Sequence, residues 1–314
     1  MLDAHQINVF MIAAETLNFT QTAKLLHMTQ PSVSQHIQSL EKQFGNELFL
    51  RKGRQLELTD AGAALVPVAR DLVSLSIDIE EMMESLKGEV YGHLMVGCST
   101  TPGKYVLPQL LAHFHRRYPQ VKITCNVTSQ KDAVEKLNDG DVHFALTSSR
   151  PDGSLDAEFR DFISDPVILI APLDHPWAMR GRIEPDELYE AEFILREDDS
   201  GTYKSVQEGL ASVGISTEKL NTLLVLGNSE AIALSVAEGL GVGFVSSMVV
   251  SRLSQGRVAP ITINGLEICR DIQIGHQTRR PATAAQTAFW SFVLEFENRL
   301  RERLRKEQFE LVGG

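Results

Sequence analysis

Cysteine is scarce in this chain: Cys98, Cys125 and Cys269 are three among 314 residues, an odd number with no CxxC spacing. That excludes a disulfide framework and a zinc site of the usual spacing, and the three read as reduced thiols. Long apolar runs are missing too, since none approaches the roughly 20 residues that a bilayer span requires. The chain opens on Asp3 without a cationic and apolar leader, so a cytoplasmic location with no membrane contact is expected. Nor is there an excess of basic charge: 30 Lys and Arg stand against 41 Asp and Glu, a net −11 with histidine neutral. A uniformly basic nucleic-acid coat is thereby excluded, while a local basic site is not. What the chain does have is 43% hydrophobic residues and length enough for two domains of about 150 residues each.

The texture changes near residue 59 and again near residue 89, giving three zones. In the first, Ile7, Phe10, Met11, Ala14 and Leu17 share one face of a helix that Asn18 breaks. A second short helix from Thr20 turns Ala23 and Leu26 inward, followed by a turn through His27 and Met28. Thr29 caps a third helix that tolerates Pro31 in its first turn, buries Val33, Ile37, Leu40 and Phe44, and stops at Gly45. Its other face, Gln30, Ser32, Ser34, Gln35, His36 and Gln38, is polar with little charge. Amide side chains bond both N6 and N7 of an adenine edge and serine bonds several bases, so this face suits the major groove. His36 is also placed to meet phosphate. Leu48 to Leu50 and Gln55 to Leu58 then read as two short strands around the cationic turn Arg51-Lys52-Gly53-Arg54, a wing for phosphates or a minor groove. The bland alternative is a surface module with a solvated basic turn.

Ala23, Leu26, Thr29-Gln30-Pro31-Ser32-Val33-Ser34, Ile37, Leu40-Glu41, Gly45, Leu48-Phe49, Arg51, Arg54, Leu58-Thr59 and Ala61-Gly62 together resemble the LysR-type transcriptional regulators, almost continuously over residues 5 to 66. The resemblance implies a bacterial winged helix-turn-helix protein. It further implies a homodimer assembling to a homotetramer on double-stranded DNA with an interrupted inverted repeat, a small co-inducer, and RNA polymerase as a partner. It places base contacts on Gln30, Pro31, Ser34 and Gln35, and wing contacts on Arg51 and Arg54.

In the second zone Thr59 caps a helical pattern with neither Gly nor Pro between Pro67 and Gly88. Leu65, Val68, Leu72, Leu75, Ile79, Met82 and Leu86 alternate by three and four, a heptad seam for dimerisation. About 28 helical residues span roughly 40 Å, comparable to the ~34 Å between successive major-groove faces on one side of DNA. Asp71, Asp78, Glu80, Glu81 and Glu84 form an acidic outer face. Packing of the stripe on its own domain is the alternative.

The third zone alternates strands and helices. Leu94 to Cys98 reads as a strand, Ser99 to Gly103 as a loop and Tyr105 to Tyr118 as a helix. Val121 to Val127, the Thr128-Ser129 cap, a helix from Gln130 to Asp139 and a strand from Val142 to Leu146 follow, ending in Thr147-Ser148-Ser149. A second half repeats the theme: Phe193 to Leu195 leads through Arg196 and Asp198-Asp199-Ser200-Gly201-Thr202 to a helix, and Leu223 to Leu226 through Gly227-Asn228-Ser229 to another. Gly239-Leu240-Gly241-Val242-Gly243 comes after a helix and before a strand, the reverse of a dinucleotide fingerprint, so it reads as a helix stop. Ligands of open parallel sheets sit beyond the carboxyl ends of strands, beside helix N-termini. Ser99, Thr100, Thr101, Thr128, Thr147, Ser148 and Thr202 are therefore expected to line a cleft, with Arg196 pairing a carboxylate, sulfate or phosphate. Each hydroxyl taken singly is equally a helix cap.

This zone resembles the two-lobed, periplasmic-binding-protein-like effector domain of LysR-type regulators, with crossings near residues 164 to 170 and 263 to 272. Its Ser-Thr-Thr-Pro-Gly loop resembles the branch containing regulators of carbon fixation and sulfur assimilation. The expected fold is thus mixed: a mainly α winged helix-turn-helix over residues 1–58, a dimerising linker helix over 59–88, and an α/β effector domain over 89–314. Lobe I takes 89–163 and 270–314, lobe II 164–269.

Cys98 beside the cleft would sense oxidation as an exposed thiolate, but no partner cysteine is near it in the chain, so it reads as an inert buried thiol. The cluster Arg299, Arg301, Arg303, Arg305 and Lys306 reads as the solvated end of a last helix. No paired carboxylates, activated nucleophile, cofactor motif or metal spacing is visible. A ligand-responsive transcription factor is the reading, with neither cofactor nor catalytic residues. The alternative is an enzyme on a binding-protein-like fold carrying a DNA-binding module.

Overall fold

A computed structural model describes residues 1–52, 55–149 and 156–312, with side chains up to residue 302. The chain forms two compact units, Met1–Glu89 and Val90–Gly314.

In the first unit, α1 (Ala4–Thr16) starts at Asp3, whose carboxylate accepts the His5 N–H. Ile7, Phe10 and Ala13 are buried, but Leu17 does not continue the stripe as its spacing predicts. It is the C-cap, in left-handed backbone at φ 47° and exposed, because the chain must leave the helix there to reach the next one. The Asn18 side chain accepts the N–H groups of Thr20 and Gln21, so α2 (Phe19–Leu25) begins one residue before the predicted Thr20. α3 (Gln30–Phe44) runs as predicted between the Thr29 cap and Gly45 at φ +69°. Strands β1 (Phe49–Lys52) and β2 (Gln55–Leu58) pair antiparallel. The turn residues Gly53 and Arg54 lie outside the described residues.

α4 (Asp60–Ser85) is capped by Thr59. Leu65, Ala69, Leu72 and Val73 pack on the winged-helix core. Leu65 and Leu72, expected on the dimer seam, therefore face their own domain, since the i, i+4, i+7 line of the first turns lies against the core. Val68, Leu75, Ile79, Met82 and Leu86 remain exposed. Glu81, expected on the acidic outer face, is buried.

The second unit contains β3 (Gly92–Cys98), α5 (Leu107–Arg117), β4 (Val121–Val127), α6 (Gln130–Asp139), β5 (Phe144–Thr147) and β6 (Ala157–Pro172). It continues with α7 (Pro176–Arg180), β7 (Arg182–Ile183), β8 (Glu192–Arg196), α8 (Gly201–Ser212), β9 (Asn221–Leu226), α9 (Ser229–Ala237) and β10 (Val242–Ser246). α10 (Ser247–Val249), β11 (Val258–Ile263), β12 (Ile268–Gln277) and α11 (Ala284–Val312) complete it. The main strand order is β4-β3-β5-β12-β6-β10-β8-β9. Two parallel triads, β4-β3-β5 and β10-β8-β9, thus flank the antiparallel pair β12 and β6. In each triad the first strand in sequence lies in the middle, so successive crossovers run in opposite directions from it. That makes its carboxyl end a topological switch point, where a parallel sheet opens a crevice.

Several predicted bounds shift. α5 begins at Leu107 instead of Tyr105, after a widened turn over Pro102–Val106. β5 starts at Phe144 instead of Val142, because His143 turns its N–H to the Met95 carbonyl and accepts the Met95 N–H at Nδ1. β8 and β9 are longer than their apolar runs suggest. Gly239 and Gly241, at φ +86° and +127°, carry the chain from α9 into β10. α11 continues to Val312, so its arginine cluster is not at a helix end. Arg301 pairs with Glu297 and donates to the Phe162 carbonyl.

Candidate effector cleft and DNA-reading face

Both switch points open on one cleft. From the first triad come Ser99, Thr100 and Thr101 after β3, Thr128, Ser129 and Gln130 after β4, and Ser148 after β5. The second triad contributes Arg196, Glu197, Asp199, Ser200, Gly201 and Thr202, and the crossing strand β12 contributes Arg270. Of the residues predicted here, Thr147 alone is not on the lining: it is fully buried.

The walls are held by short polar contacts. The Ser99 and Ser148 hydroxyls lie 2.9 Å apart. Gln130 accepts the Ser148 N–H at Oε1 and donates from Nε2 to the Ser149 hydroxyl, fixing the end of β5. Ser129 and Ser200 cap α6 and α8, leaving further first-turn N–H groups of both helices at the cleft. Arg196, 8% exposed, is ion-paired with the half-exposed Glu197 and reaches the Ser229 hydroxyl. Burial pushes the Glu197 carboxyl up, but the Arg196 hydrogen bond and charge outweigh it, and the group sits below its ordinary value. Arg270 is ion-paired with Asp165 and donates from Nη1 to the Thr202 hydroxyl at 2.6 Å. The cleft thus carries two helix N-termini, five or more hydroxyls and two guanidiniums, each guanidinium already matched by a carboxylate. Helix N-termini, hydroxyls and guanidiniums are the groups that can hydrogen-bond a small polar anion.

Cys98, at the end of β3, is buried. Its sulfur lies 3.6 Å from that of Cys125 on β4, which corrects the sequence-based expectation that no partner is near. Among the described residues, no cluster of three or more His, Cys, Asp or Glu side chains is placed to hold a metal.

In the first unit, Pro31 and Gln35 are exposed on α3, and Gln30, Ser32, Ser34 and His36 are partly so. Gln30 donates to the Ser34 hydroxyl at 2.8 Å, and the His36 ring meets that of His5 edge-on. Arg51 is exposed on β1. The α3 face opposite the core therefore presents amides and hydroxyls.

Residues 4–63 match the family description "Bacterial regulatory helix-turn-helix protein, lysR family", and residues 87–297 match "LysR substrate binding domain". The chain belongs to the LysR family of transcriptional regulators. The RuBisCO operon transcriptional regulator of Allochromatium vinosum is 30% identical to this LysR regulator over 300 residues, covering 95% of this chain and 98% of the relative. The fold is shared with full-length CbnR complexed with its target DNA, at TM-score 0.69 and 22% identity over 95% of this chain and 100% of that one. It is also shared with the CcmR regulatory domain of Synechocystis PCC6803 in complex with 2-PG, at TM-score 0.58 and 24% identity over 65% of this chain and 97% of that domain. The relatives are regulators of transcription, and the match lends nothing to the enzyme alternative.

The lining residues not expected from the sequence are Ser129, Gln130, Glu197, Asp199, Ser200, Gly201 and Arg270. Glu197 and Gln130 adjoin predicted positions and are visible as polar residues at strand and helix ends. Arg270 stands among other polar residues of β12, so nothing local marks it as a lining residue.

Proposed function

We propose that this LysR regulator binds a small anionic metabolite in its cleft and reads an interrupted inverted repeat in duplex DNA through α3. The observation that carries this reading is the convergence of the α6 and α8 N-termini, the Ser99–Thr101 and Ser148 hydroxyls, and Arg196 on one crevice. A carboxylate, sulfate or phosphate group there takes the place of Glu197 on Arg196, gaining charge-assisted hydrogen bonds. The 2-PG in the CcmR domain supports the choice of ligand class.

On DNA, Gln30, Pro31, Ser32, Ser34 and Gln35 meet base edges, while His36, Arg51 and Arg54 meet phosphates. Two chains pair through the exposed stripe Val68, Leu75, Ile79, Met82 and Leu86, and two such dimers form a tetramer on the operator. RNA polymerase is the partner at the promoter, and the cytoplasm is the compartment. Among the described residues no helix is long and apolar enough to cross a membrane.

Calorimetry with a panel of small phosphates, sulfates and carboxylates tests the cleft. The reading expects at least one anion to bind and R196A to weaken it at least tenfold. No binding by any anion, or binding indifferent to R196A, overturns it. Q30A and Q35A are expected to lose about 1–3 kcal/mol of operator discrimination, and R51A to flatten the salt dependence of binding by about one phosphate contact. Unchanged affinity and footprints in all three defeat the DNA assignment.

A further inference from the structure

We infer that Cys98 and Cys125 form a reversible oxidation site, a dithiol that closes to an intrachain disulfide behind the wall of the cleft. The strands β3 and β4 run parallel with Val96 opposite Cys125 and Cys98 opposite Val127. Cys98 and Cys125 are thus two residues out of register and on the same face of the sheet. Their sulfurs are 3.6 Å apart; diagonal neighbours on adjacent strands lie ~7–8 Å apart at Cα, so closing them to the ~2.05 Å of a bonded pair draws the backbone of β3 and β4 together as well.

The two thiols are unequal in a way that assigns their roles. Cys125 is exposed on the edge strand, whereas Cys98 is fully buried. The hydrogen bond between them lowers the Cys125 thiol below its ordinary value against the effect of burial, and the same bond, with burial and the neighbouring charge, pushes Cys98 far up. Exposure makes Cys125 the thiol that an oxidant in solvent meets first, with Cys98 the thiol held beside it.

The oxidant is a hydroperoxide. The Cys125 thiolate attacks its terminal oxygen, an S–O bond forms as the O–O bond breaks, and the alcohol or water leaves with a proton. The Cys98 sulfur then attacks the Cys125 sulfenic acid, the S–O bond breaks, and water departs with the Cys98 proton. Two thiols lose two electrons, which reduce one hydroperoxide. A small thiol reverses the step by exchange.

The consequence reaches the cleft through the backbone. Cys98 immediately precedes Ser99, and its carbonyl accepts the Thr128 N–H at 2.9 Å. Its sulfur also packs on the Pro102–Val106 turn so closely that a Cβ on Gly103 would lie 2.6 Å from it. Drawing that sulfur toward Cys125 removes the support under the turn.

The experiment is peroxide treatment of the full chain followed by mass spectrometry, thiol counting and peptide mapping, none of which requires the cleft ligand. The expected result is a fall from three free thiols to one, a mass loss of about 2 Da, and a Cys98–Cys125 linked peptide that dithiothreitol releases. C98S stops at a Cys125 sulfenic acid about 16 Da heavier that dimedone traps, and C269S behaves as wild type. Amide exchange over residues 99–106 changes on oxidation of wild type and not of C125S. Wild-type protein that accumulates oxygen on Cys125 without a disulfide, or that links either cysteine to Cys269, overturns the assignment. A linked pair with unchanged exchange over 99–106 overturns its coupling to the cleft. Because loss of anion binding leaves these readouts untouched, failure here is distinguishable from failure of the ligand reading.

Discussion

Asp165 on β6 and Arg270 on β12 are direct partners in the antiparallel register and form a buried ion pair, with Arg270 Nε 2.7 Å from Asp165 Oδ2. The Ser246 hydroxyl donates to the other carboxylate oxygen at 2.8 Å, and Arg270 passes on to Thr202 in the cleft. Four elements, β6, β12, β10 and α8, therefore meet at one charge pair.

Removing one partner leaves the other charged and buried, which costs about 3–5 kcal/mol. R270M should lower the stability of the second unit by that amount, and R270M combined with D165L should recover most of it. Urea unfolding followed by tryptophan fluorescence reads the second unit alone, because Trp177 and Trp290 are the only two tryptophans of the chain. Equal losses in the single and double variants would remove the pair from this role.

Gly201 begins α8 directly against Ser148 of the opposite triad: an added Cβ would stand 2.5 Å from the Ser148 Cβ and 2.7 Å from its carbonyl oxygen. G201A should hold the two cleft walls apart. The expected outcome is at least a tenfold weaker calorimetric affinity for the tightest-binding anion of the panel. Unchanged affinity would show that the walls need not approach.

Glu41 on α3 accepts the N–H groups of Leu48 and Phe49 at 2.8 and 3.3 Å, so its carboxylate anchors the start of the wing. E41A should destabilise the first unit by about 2 kcal/mol, with E41Q milder because it keeps the acceptor. Hydrogen exchange over β1 and β2 measures this, and protection unchanged from wild type would refute it.

His143 is held neutral. Burial first, then the charges of His93 and Arg280, push its imidazole down to about 4 from an ordinary 6.5. The unfolded chain therefore binds the extra proton between those values, so the stabilisation is complete above about pH 6.5 and is lost as pH falls toward 4. The loss amounts to at most about 3 kcal/mol. H143Q should have a flatter urea midpoint than wild type between pH 7 and pH 4.5, and parallel profiles would contradict the assignment.

The polar face of α3, its Thr29 cap and its Gly45 stop are legible in the chain because they rest on contacts three or four residues apart. The same holds for the loops after β4 and β8, where Ser129 and Ser200 announce the helices they cap. Of the heptad positions of α4, Val68, Leu75, Ile79, Met82 and Leu86 are left exposed, whereas Leu65 and Leu72 pack on their own domain. Spacing identifies an apolar face without saying whether the same chain or another covers it.

Local chemistry alone determined the bounds of α3 and α6, the placement of amides opposite an apolar stripe, and the order in which strands and helices alternate. These follow from hydrogen bonds and side-chain periodicity within one or two turns. Only the tertiary structure decided that Arg270 meets Asp165 and reaches Thr202, that Thr147 is buried while Ser148 lines the cleft, and that Cys125 lies beside Cys98. Those meetings depend on which strands become neighbours and in what register, and that is set by burial of the whole sheet, which no short stretch of the chain encodes.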